Sequence, residues 1–91
     1  MNYFVYVLLN YNKEHWYVGS SNNIDKRLLS HNLGYTISTK PYKPWQIVYF
    51  EKFNTRSEAF KREMYLKSPM GYNDYLQIKR KVLDCHIGGV A

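Results

Sequence analysis

The first twenty residues alternate between apolar and polar segments in a way that predicts two strands. Residues 3–9 read YFVYVLL, so both sides of an extended chain carry large apolar side chains. A strand covered on both faces has this composition. The polar segment 10–14 follows, and residues 15–19, HWYVG, return to strand-forming types. The pattern predicts an antiparallel hairpin whose second strand ends at Gly19.

A short helix with an unusual edge is predicted after the hairpin. The four residues 20–23 all suit a helix N-cap, and Gly34 is a stop signal, which places the helix at about Ile24–Asn32. Its apolar side is predicted to contain Ile24, Leu28, Leu29 and Leu33. Arg27 and His31 are four residues apart and share a face at the edge of that side. They are either solvated surface residues or a cation and an imidazole directed at a cleft.

The second half of the chain predicts a strand followed by two helices. Residues 35–45 form a proline-punctuated loop, and Thr55 with Glu58 has the spacing of a capping box. The predicted elements are a strand over 46–53, a helix over Arg56–Lys67 and a helix over Asn73–Leu83. The order strand, strand, helix, strand, helix, helix predicts an α+β fold, a small three-stranded antiparallel sheet flanked by helices.

Length and composition limit the class of protein. Residues 1–91 are predicted to form a single domain with a core over about 3–83 and a frayed tail over 84–91. Cys85 is the only cysteine, which excludes an internal disulfide and a cysteine-rich zinc site. The net charge of +6 suits a polyanionic partner such as nucleic acid. No apolar run is long enough for a membrane helix, and we expect a cytoplasmic protein without membrane contact.

One acidic residue lies where the helical pattern predicts apolar contacts. Ala59, Phe60, Met64 and Leu66 span one arc of the second helix, and Glu63 projects between the first two. Burying a carboxylate there is costly unless it is paired, protonated or bound to a cation. The pattern therefore leaves two interpretations open. Glu63 pairs with a neighbouring base such as Arg62 or Lys67, or it holds a functional cation.

Five side chains together match the requirements of phosphodiester cleavage. The reaction needs a proton acceptor for water, neutralisation of charge on the phosphate and help for the leaving oxygen. Phenols, a guanidinium, an imidazole and a carboxylate meet these needs, and Mg²⁺ often uses only one or two protein ligands. The candidate catalytic residues are Tyr6, Tyr17, Arg27, His31 and Glu63.

The same residues stand in a recognisable order along the chain. The motif segments are Phe4-Val5-Tyr6, Tyr17-Val18-Gly19, Ser20-Ser21-Asn22-Asn23, Pro44-Trp45 before Ile47-Val48-Tyr49, and Thr55-Arg56-Ser57-Glu58-Ala59 before Arg62-Glu63. From about residue 3 to 68 the chain resembles the GIY-YIG nucleases, and among them the small stand-alone bacterial members that are similar to the catalytic module of excinuclease C. The first tripeptide lacks the glycine of the family motif.

The resemblance implies an activity and a role for each site residue. It implies a metal-dependent endonuclease, with DNA favoured over RNA, related to repair or mobile DNA. Tyr6 and Tyr17 match the motif tyrosines, one of which activates the water. Arg27 matches the arginine that steadies the phosphate, and His31 a position that assists proton transfer. Glu63 matches the single ligand of Mg²⁺ or Mn²⁺.

Residues outside the motifs are expected to bind the substrate. We expect the basic loop to contact phosphates through Lys40 and Lys43, with Tyr42 or Trp45 available to stack on an unpaired base. The other interpretation is that the two prolines and a buried Trp45 only close the fold. Asn73 is a candidate match for a late asparagine of the family, and Gly19 is expected to allow a tight turn beside the site. A homodimer or a protein partner is the expected source of further specificity, because the chain has no room for a second DNA-binding domain. The alternatives are a non-catalytic nucleic-acid-binding module on the same fold and a structural basic protein whose tyrosines are core residues.

Overall fold

The computed structural model describes the backbone of residues 2–88 and the side chains of residues 2–84. Its strands and helices are β1 (Tyr3–Asn10), β2 (Trp16–Ser21), α1 (Ile24–Asn32), β3 (Trp45–Phe53), α2 (Arg56–Lys67) and α3 (Tyr72–Gly88). Short 3₁₀ turns at Lys40–Tyr42 and Pro69–Gly71 precede β3 and α3. The predicted α+β class and the predicted order of elements are confirmed.

The register of the sheet decides which side chains share a face. The strand order is β2-β1-β3 with both pairings antiparallel, so β1 is the central strand. Tyr6 pairs with Gly19 and Leu8 with Tyr17 in the β1–β2 ladder. Paired residues lie on the same face of a sheet, and residues two apart on a strand do too. Tyr6, Leu8 and Tyr17 therefore point to one side, which we call the tyrosine face.

The opposite side of the sheet holds the larger apolar core. This packing face consists of Val5, Val7, Leu9 and Val18. Helices α2 and α3 cover it with the buried side chains of Ala59, Leu66, Ile78 and Val82. Helix α1 covers the tyrosine face, where Ile24 and Leu28 pack on a smaller cluster of Tyr6, Leu8 and Trp45. Each large aliphatic side chain buried in this way contributes about 1.5–3 kcal/mol to folding.

Helix α1 is rotated relative to the orientation that its leucines predict. Leu29 and Leu33 are 59% and 53% exposed, whereas His31 is fully buried. Ile24 and Leu28 do face the sheet. The expected apolar side was therefore half wrong, because the imidazole finds hydrogen-bond partners on both ring nitrogens and can be buried at low cost.

The helix ends follow the capping signals of the sequence. Asn23 is the N-cap of α1, and its side chain accepts a hydrogen bond from the Lys26 amide. Gly34, at φ +84°, takes the left-handed conformation that ends the helix without a Cβ penalty. Thr55 caps α2 by accepting from the Glu58 amide at 3.1 Å. Cap and stop positions predicted from these residues are confirmed.

The buried side of α2 is narrower than its apolar pattern suggests. Ala59 and Leu66 are each 1% exposed, but Phe60 and Met64 are 54% and 48% exposed. The predicted arc was wrong for these two residues, because the contact with the sheet centres on Ala59 and Leu66. Glu63 lies on the flank of that contact, next to β2.

Helix α3 is longer than expected. It was predicted to end at Leu83, with a frayed tail over 84–91, yet its backbone stays helical to Gly88. Residues 84–87 contain neither glycine nor proline, so the first strong stop signal is the glycine pair that begins at Gly88. The rest of the predicted tail, 89–91, lies outside the described residues. Within the described part of the chain, no helix is long and apolar enough to cross a membrane.

Candidate active site

A buried chain of hydrogen bonds joins β1, α1 and the loop before β3. The Tyr6 hydroxyl is 3.1 Å from His31 Nε2, and His31 Nδ1 is 2.8 Å from the Thr39 hydroxyl. Thr39 Oγ1 in turn donates to the Thr36 carbonyl at 3.3 Å. Tyr6, His31 and Thr39 are each at most 1% exposed. The order of these bonds determines where the protons reside.

The two hydrogen bonds of the Thr39 hydroxyl favour one tautomer of His31. The single proton of this hydroxyl goes to the Thr36 carbonyl, so the bond to the imidazole needs a proton from His31 Nδ1. Burial, and secondarily the Arg27 charge, lower the pKa of His31 from 6.5 to about 4, so the ring is neutral at pH 7. Nε2 of a neutral Nδ1–H ring is an acceptor. Tyr6 therefore donates its proton to His31.

Arg27 places a permanent positive charge beside this chain. Its pKa is raised, first by a side-chain hydrogen bond with Tyr6, which shows that the guanidinium and the phenol are neighbours. Burial raises the pKa of Tyr6 despite the opposing effect of Arg27, so the phenol is protonated at rest. The Tyr17 ring lies 4.9 Å from the His31 ring and 6.4 Å from the Tyr6 ring, between centroids. The structure thus brings four of the five predicted residues together on the tyrosine face.

Gly19 is required here for space rather than for a turn. It lies inside β2 opposite Tyr6, and a Cβ at this position would collide with the Tyr6 hydroxyl. The strand continues to Ser21. The expectation that Gly19 ends the strand and allows a tight turn was therefore wrong. Its missing side chain provides room for the phenol that the hydrogen-bond chain begins with.

Glu63 approaches the same region from α2 across the β2 edge. Its Oε1 accepts a hydrogen bond from the Ser20 hydroxyl at 2.6 Å, and its Oε2 pairs with Lys67 Nζ at 2.6 Å. Lys67 Nζ also lies 5.4 Å from the centroid of the Tyr17 ring. The negative charge of Glu63 contributes to the raised pKa of Tyr6. Glu63 thus lies within electrostatic range of the phenols, paired with a neighbouring lysine.

A single carboxylate is a sufficient protein ligand for Mg²⁺. Among the described residues, no group of three His, Cys, Asp or Glu side chains is arranged to hold a metal ion. Mg²⁺ keeps several waters and commonly takes one or two carboxylates together with substrate phosphate oxygens. Glu63 already attracts the Lys67 ammonium to Oε2, which shows that a cation fits at this oxygen. The residues present therefore fit the ion, provided that Lys67 moves aside.

An open cleft near the α1 N-terminus contains Ser20, the residue whose hydroxyl binds Glu63. It has a volume of about 370 Å³, and its lining includes Ser20, Arg27, Arg56 and Phe60. Two arginines and a hydroxyl offer several donors to an anion, and arginine matches phosphate with parallel hydrogen bonds. The cleft is accessible to solvent, unlike the Tyr6–His31–Thr39 chain. It is the route by which a phosphate can reach Arg27.

The basic loop differs from its predicted role at one residue. Lys40 and Lys43 are exposed, as contacts to phosphate require, and Tyr42 stacks on His15 with ring centroids 3.7 Å apart. Trp45, in contrast, is 5% exposed, and its indole N–H donates to the Thr39 carbonyl. Trp45 therefore supports the segment that holds His31, and its predicted stacking on a base was wrong.

Two other residues from the sequence motifs lie away from the tyrosine cluster. Arg62, next to Glu63 in sequence, makes a bidentate ion pair with Glu51 at 2.8 and 3.0 Å and a longer contact to Asp74 at 3.6 Å. Arg62 thus ties α2 to β3 and α3 and does not pair with Glu63. Asn73 is exposed in the first turn of α3, and no described contact connects it to the site.

Sequence reasoning missed two residues that position the site. Thr39 orients His31, and the only hint in the sequence is a threonine in a polar loop. Ser20 holds Glu63, but its place in a run of polar residues indicates a helix cap. Lys67 was one of the candidate partners of Glu63, because it follows at four residues on the same helix.

Comparison with known proteins finds a family that matches most of the chain. Residues 2–75 match the GIY-YIG catalytic domain. The UPF0213 protein CPE1444 of Clostridium perfringens is 40% identical over 79 residues, which cover 86% of this chain and 82% of that protein. The UPF0213 protein YazA of Bacillus subtilis is 33% identical over 81 residues, 88% of this chain and 81% of that protein.

Two further relatives have lower coverage or a looser match. The UPF0213 protein SSP2268 of Staphylococcus saprophyticus is 45% identical over 53 residues, 57% of this chain and 65% of that protein. The solution NMR structure of the UPF0213 protein BH0048 from Bacillus halodurans has 27% identity and a TM-score of 0.49, covering 87% of this chain and 86% of that chain. On the match over residues 2–75 and the two longer relatives, this chain belongs to the GIY-YIG family.

Proposed function

We propose that this protein is a metal-dependent endonuclease that hydrolyses phosphodiester bonds, in DNA rather than RNA, and that it acts in the cytoplasm in DNA repair or on mobile DNA. The main support is one contact, the bond from the Tyr6 hydroxyl to the neutral Nε2 of His31, next to Arg27. The net charge of +6 suits a polyanionic substrate. Membership in the GIY-YIG family favours nuclease chemistry.

The hydrogen-bond chain supplies a route for the proton of the attacking water. Tyr6 is buried at rest, so the attacking water reaches its Oη once Arg27, which hydrogen-bonds this hydroxyl, has moved onto the phosphate. The water then gives a proton to Tyr6 Oη while Tyr6 passes its own proton to His31 Nε2, so that the phenol is unchanged and the imidazole becomes positive. His31 is a weak base at rest because its pKa is about 4. A phosphate bound at Arg27 brings negative charge close to the ring and raises its affinity for the proton. Thr39 holds the ring in the accepting tautomer.

Arg27 and Glu63 act on the phosphate from two sides. Arg27 offers parallel N–H donors to the equatorial oxygens, where negative charge develops. Glu63 would hold Mg²⁺ or Mn²⁺ through Oε2, once Lys67 has turned away, while Ser20 keeps the other oxygen in place. Such an ion, when bound, neutralises charge on the phosphate and assists the leaving oxygen. The exposed Lys40 and Lys43 serve as contacts to flanking phosphates, and a homodimer or protein partner supplies further specificity.

Cleavage assays with one matched pair of variants test this proposal. Supercoiled plasmid and single-stranded and branched oligonucleotides are incubated with Mg²⁺, with Mn²⁺ or with EDTA. The variants are Glu63→Gln and Glu58→Gln, the second being an exposed glutamate of the same helix. We expect metal-dependent cleavage by the wild type and by Glu58→Gln, and a loss of about 10²-fold or more in Glu63→Gln.

Two results would contradict the proposal. Cleavage that persists in EDTA or in Glu63→Gln would remove the role of the carboxylate. No cleavage of any substrate, combined with salt-sensitive binding that Glu63→Gln retains, would instead support the non-catalytic binding module. Circular dichroism establishes that each variant is folded before the comparison is made.

A further inference from the structure

A second groove contains Lys67, and four of its ten lining residues are aromatic. Its volume is about 700 Å³, and its lining includes Trp16, Tyr17, Tyr72, Tyr75, Lys67 and Lys79. Tyr72 is 58% exposed and lines the groove together with the half-buried rings of Tyr17 and Tyr75, and contiguous exposed patches mark binding sites. The groove lies between the β2 edge and the start of α3. The cleavage chemistry proposed above uses none of these aromatic residues.

The two lysines of the groove already sit against aromatic rings. Lys79 Nζ lies 4.4 Å from the Tyr75 centroid and 5.4 Å from the Trp16 centroid, and burial lowers its pKa. Lys67 Nζ is 5.4 Å from the Tyr17 centroid. These lysines lie over ring faces, so the exposed ring of Tyr72 is the surface on which a base stacks, and the neighbouring ammonium groups pair with its flanking phosphates.

We propose that this groove binds an unpaired nucleobase of the substrate strand, so that the protein prefers a single-stranded segment beside the bond it cleaves. The position relative to cleavage rests on the proposed function, whereas the binding of the base does not. Bases inside a duplex have their faces covered by their neighbours and cannot stack on protein rings. An exposed aromatic ring with lysines beside it therefore selects for unpaired nucleotides.

The location of the groove makes it continuous with the candidate active site. Tyr17 belongs to both, and Lys67 bridges from Glu63 to the Tyr17 ring. Glu63 also links the groove to the cleft that suits a phosphate, because it binds Lys67 of the groove through Oε2 and Ser20 of the cleft through Oε1. A strand bound at Glu63 can therefore reach both. This arrangement places the unpaired base adjacent to the scissile phosphate.

Binding measurements without turnover test the groove independently of cleavage. The probes are a fluorescein-labelled oligothymidylate of about 12 nucleotides and a strand of equal length and charge made of abasic sites, both in EDTA. The variants are Tyr72→Leu, and Tyr11→Leu as its matched control, because Tyr11 is 66% exposed and lies outside the groove. A second pair compares Lys79→Met with Lys61→Met, an exposed lysine on α2.

The expected pattern depends on the presence of the base. Tyr72→Leu should bind the oligothymidylate at least about fivefold more weakly than the wild type, because one stacking contact is lost. Tyr11→Leu should bind like the wild type, and the abasic strand should bind equally to all three proteins. Lys79→Met should lower the salt dependence of binding by about one phosphate contact relative to Lys61→Met.

Other outcomes would overturn the inference. Equal affinities of Tyr72→Leu and Tyr11→Leu for the oligothymidylate would show that the groove does not bind the base. Equal affinity of the wild type for the base-bearing and abasic strands would show the same. A duplex that competes as well as a single strand would remove the proposed preference. Because all of these readouts are taken in EDTA, they are unaffected if the wild type fails to cleave in Mg²⁺, which would contradict only the proposed nuclease activity.

Discussion

Alternate residues of β1 lie on opposite faces of the sheet, and the two faces differ in composition and role. On the packing face, Val5, Val7 and Leu9 are fully buried among aliphatic side chains from α2 and α3. On the tyrosine face, Tyr6 is buried just as completely, but its hydroxyl is held by a histidine. A hydrocarbon core stabilises through area removed from water, whereas buried polar groups contribute little net stability and become costly if one partner is removed.

The packing face thus mainly stabilises the fold, and the tyrosine face holds the groups for chemistry. The packing face can be altered in volume without touching a titratable group. The tyrosine face contains a phenol, an imidazole and a guanidinium within one contact of each other. Neighbouring residues of α2 show the same division. Arg62 pairs with Glu51 to join helix and sheet, and Glu63 faces the β2 edge and the site.

The largest expected effect on stability comes from the packing face. Leu9→Ala should lower the free energy of unfolding by about 2–5 kcal/mol, because it opens a cavity in a fully buried position. The rate of cleavage per folded molecule should stay unchanged. Urea denaturation and single-turnover cleavage measure the two quantities. Leu29→Ala, at a leucine that is 59% exposed, is the matched control and should change neither quantity. A Leu9→Ala protein that is folded but cleaves more slowly than the wild type would contradict the separate roles of the two faces.

Substitution of Arg27 is expected to slow cleavage strongly while leaving the free energy of unfolding nearly unchanged. Arg27→Met keeps most of the aliphatic stem but removes the donors for phosphate, so that cleavage should slow by about 10² to 10³-fold. Lys26→Met, an exposed neighbour with the same change of charge, should cleave within a few-fold of the wild type. Single-turnover rates at saturating enzyme give the comparison. Equal losses in the two variants would mean that only net charge matters.

The buried imidazole makes stability depend on pH. His31 has a pKa of about 4 when folded and about 6.5 when unfolded, so above pH 6.5 neither state is protonated and its contribution is complete. As the pH falls from 6.5 towards 4, the unfolded chain binds the proton and the folded chain does not. About 3 kcal/mol of stability should therefore be lost across this window.

Denaturation between pH 4 and 7.5 measures this effect against matched variants. His31→Gln should show a flatter dependence than the wild type, because the titrating group is gone. His15→Gln, which removes a histidine that stacks on Tyr42, is the matched control, and the two variants are compared at each pH. A wild-type slope in His31→Gln would assign the dependence to other groups.

The smallest expected effect concerns the Lys67 ammonium, which pairs with Glu63 Oε2. Lys67→Met should raise the affinity for Mn²⁺ about twofold, because the ion no longer competes with an i,i+4 ion pair worth about 0.3–0.5 kcal/mol. Lys61→Met carries the same change in net charge and corrects for it. Titration followed by the electron paramagnetic resonance of free Mn²⁺ gives both constants. Equal constants would show that Lys67 does not occupy the position of the ion.

The order of elements could be predicted because it depends on local patterns, whereas the shared face of Tyr6 and Tyr17 depends on the register of β1 and β2, which the sequence does not fix. The two-residue period of β1 fixes that Tyr6 and Leu8 point together, and caps at Asn23 and Thr55 mark helix starts. The rotation of α1 could not be predicted. A hydrophobic pattern places the leucines of α1 inside and His31 outside. The burial of His31 depends on its hydrogen bond with Thr39, which lies eight residues away in a loop.

Side-chain contacts between residues that are distant in sequence could not be predicted either. Nothing local indicates that Ser20 binds Glu63, because 43 residues separate them. The exposure of Phe60 and Met64 follows from how closely α2 meets the sheet, and the burial of Trp45 from its bond to the Thr39 carbonyl. Gly19 was identified as important, but the reason, space for the Tyr6 hydroxyl, requires the strand register.

The most direct test of the central claim removes a single oxygen from the tyrosine face. Tyr6→Phe keeps the ring that packs against Leu8 and α1 but breaks the proton route to His31. The account predicts a loss of about 10² to 10⁴-fold in the single-turnover rate of Mg²⁺-dependent plasmid cleavage, measured on protein that circular dichroism shows to be folded. A folded Tyr6→Phe protein that cleaves at the wild-type rate would contradict it, because the buried phenol would then be a core residue only.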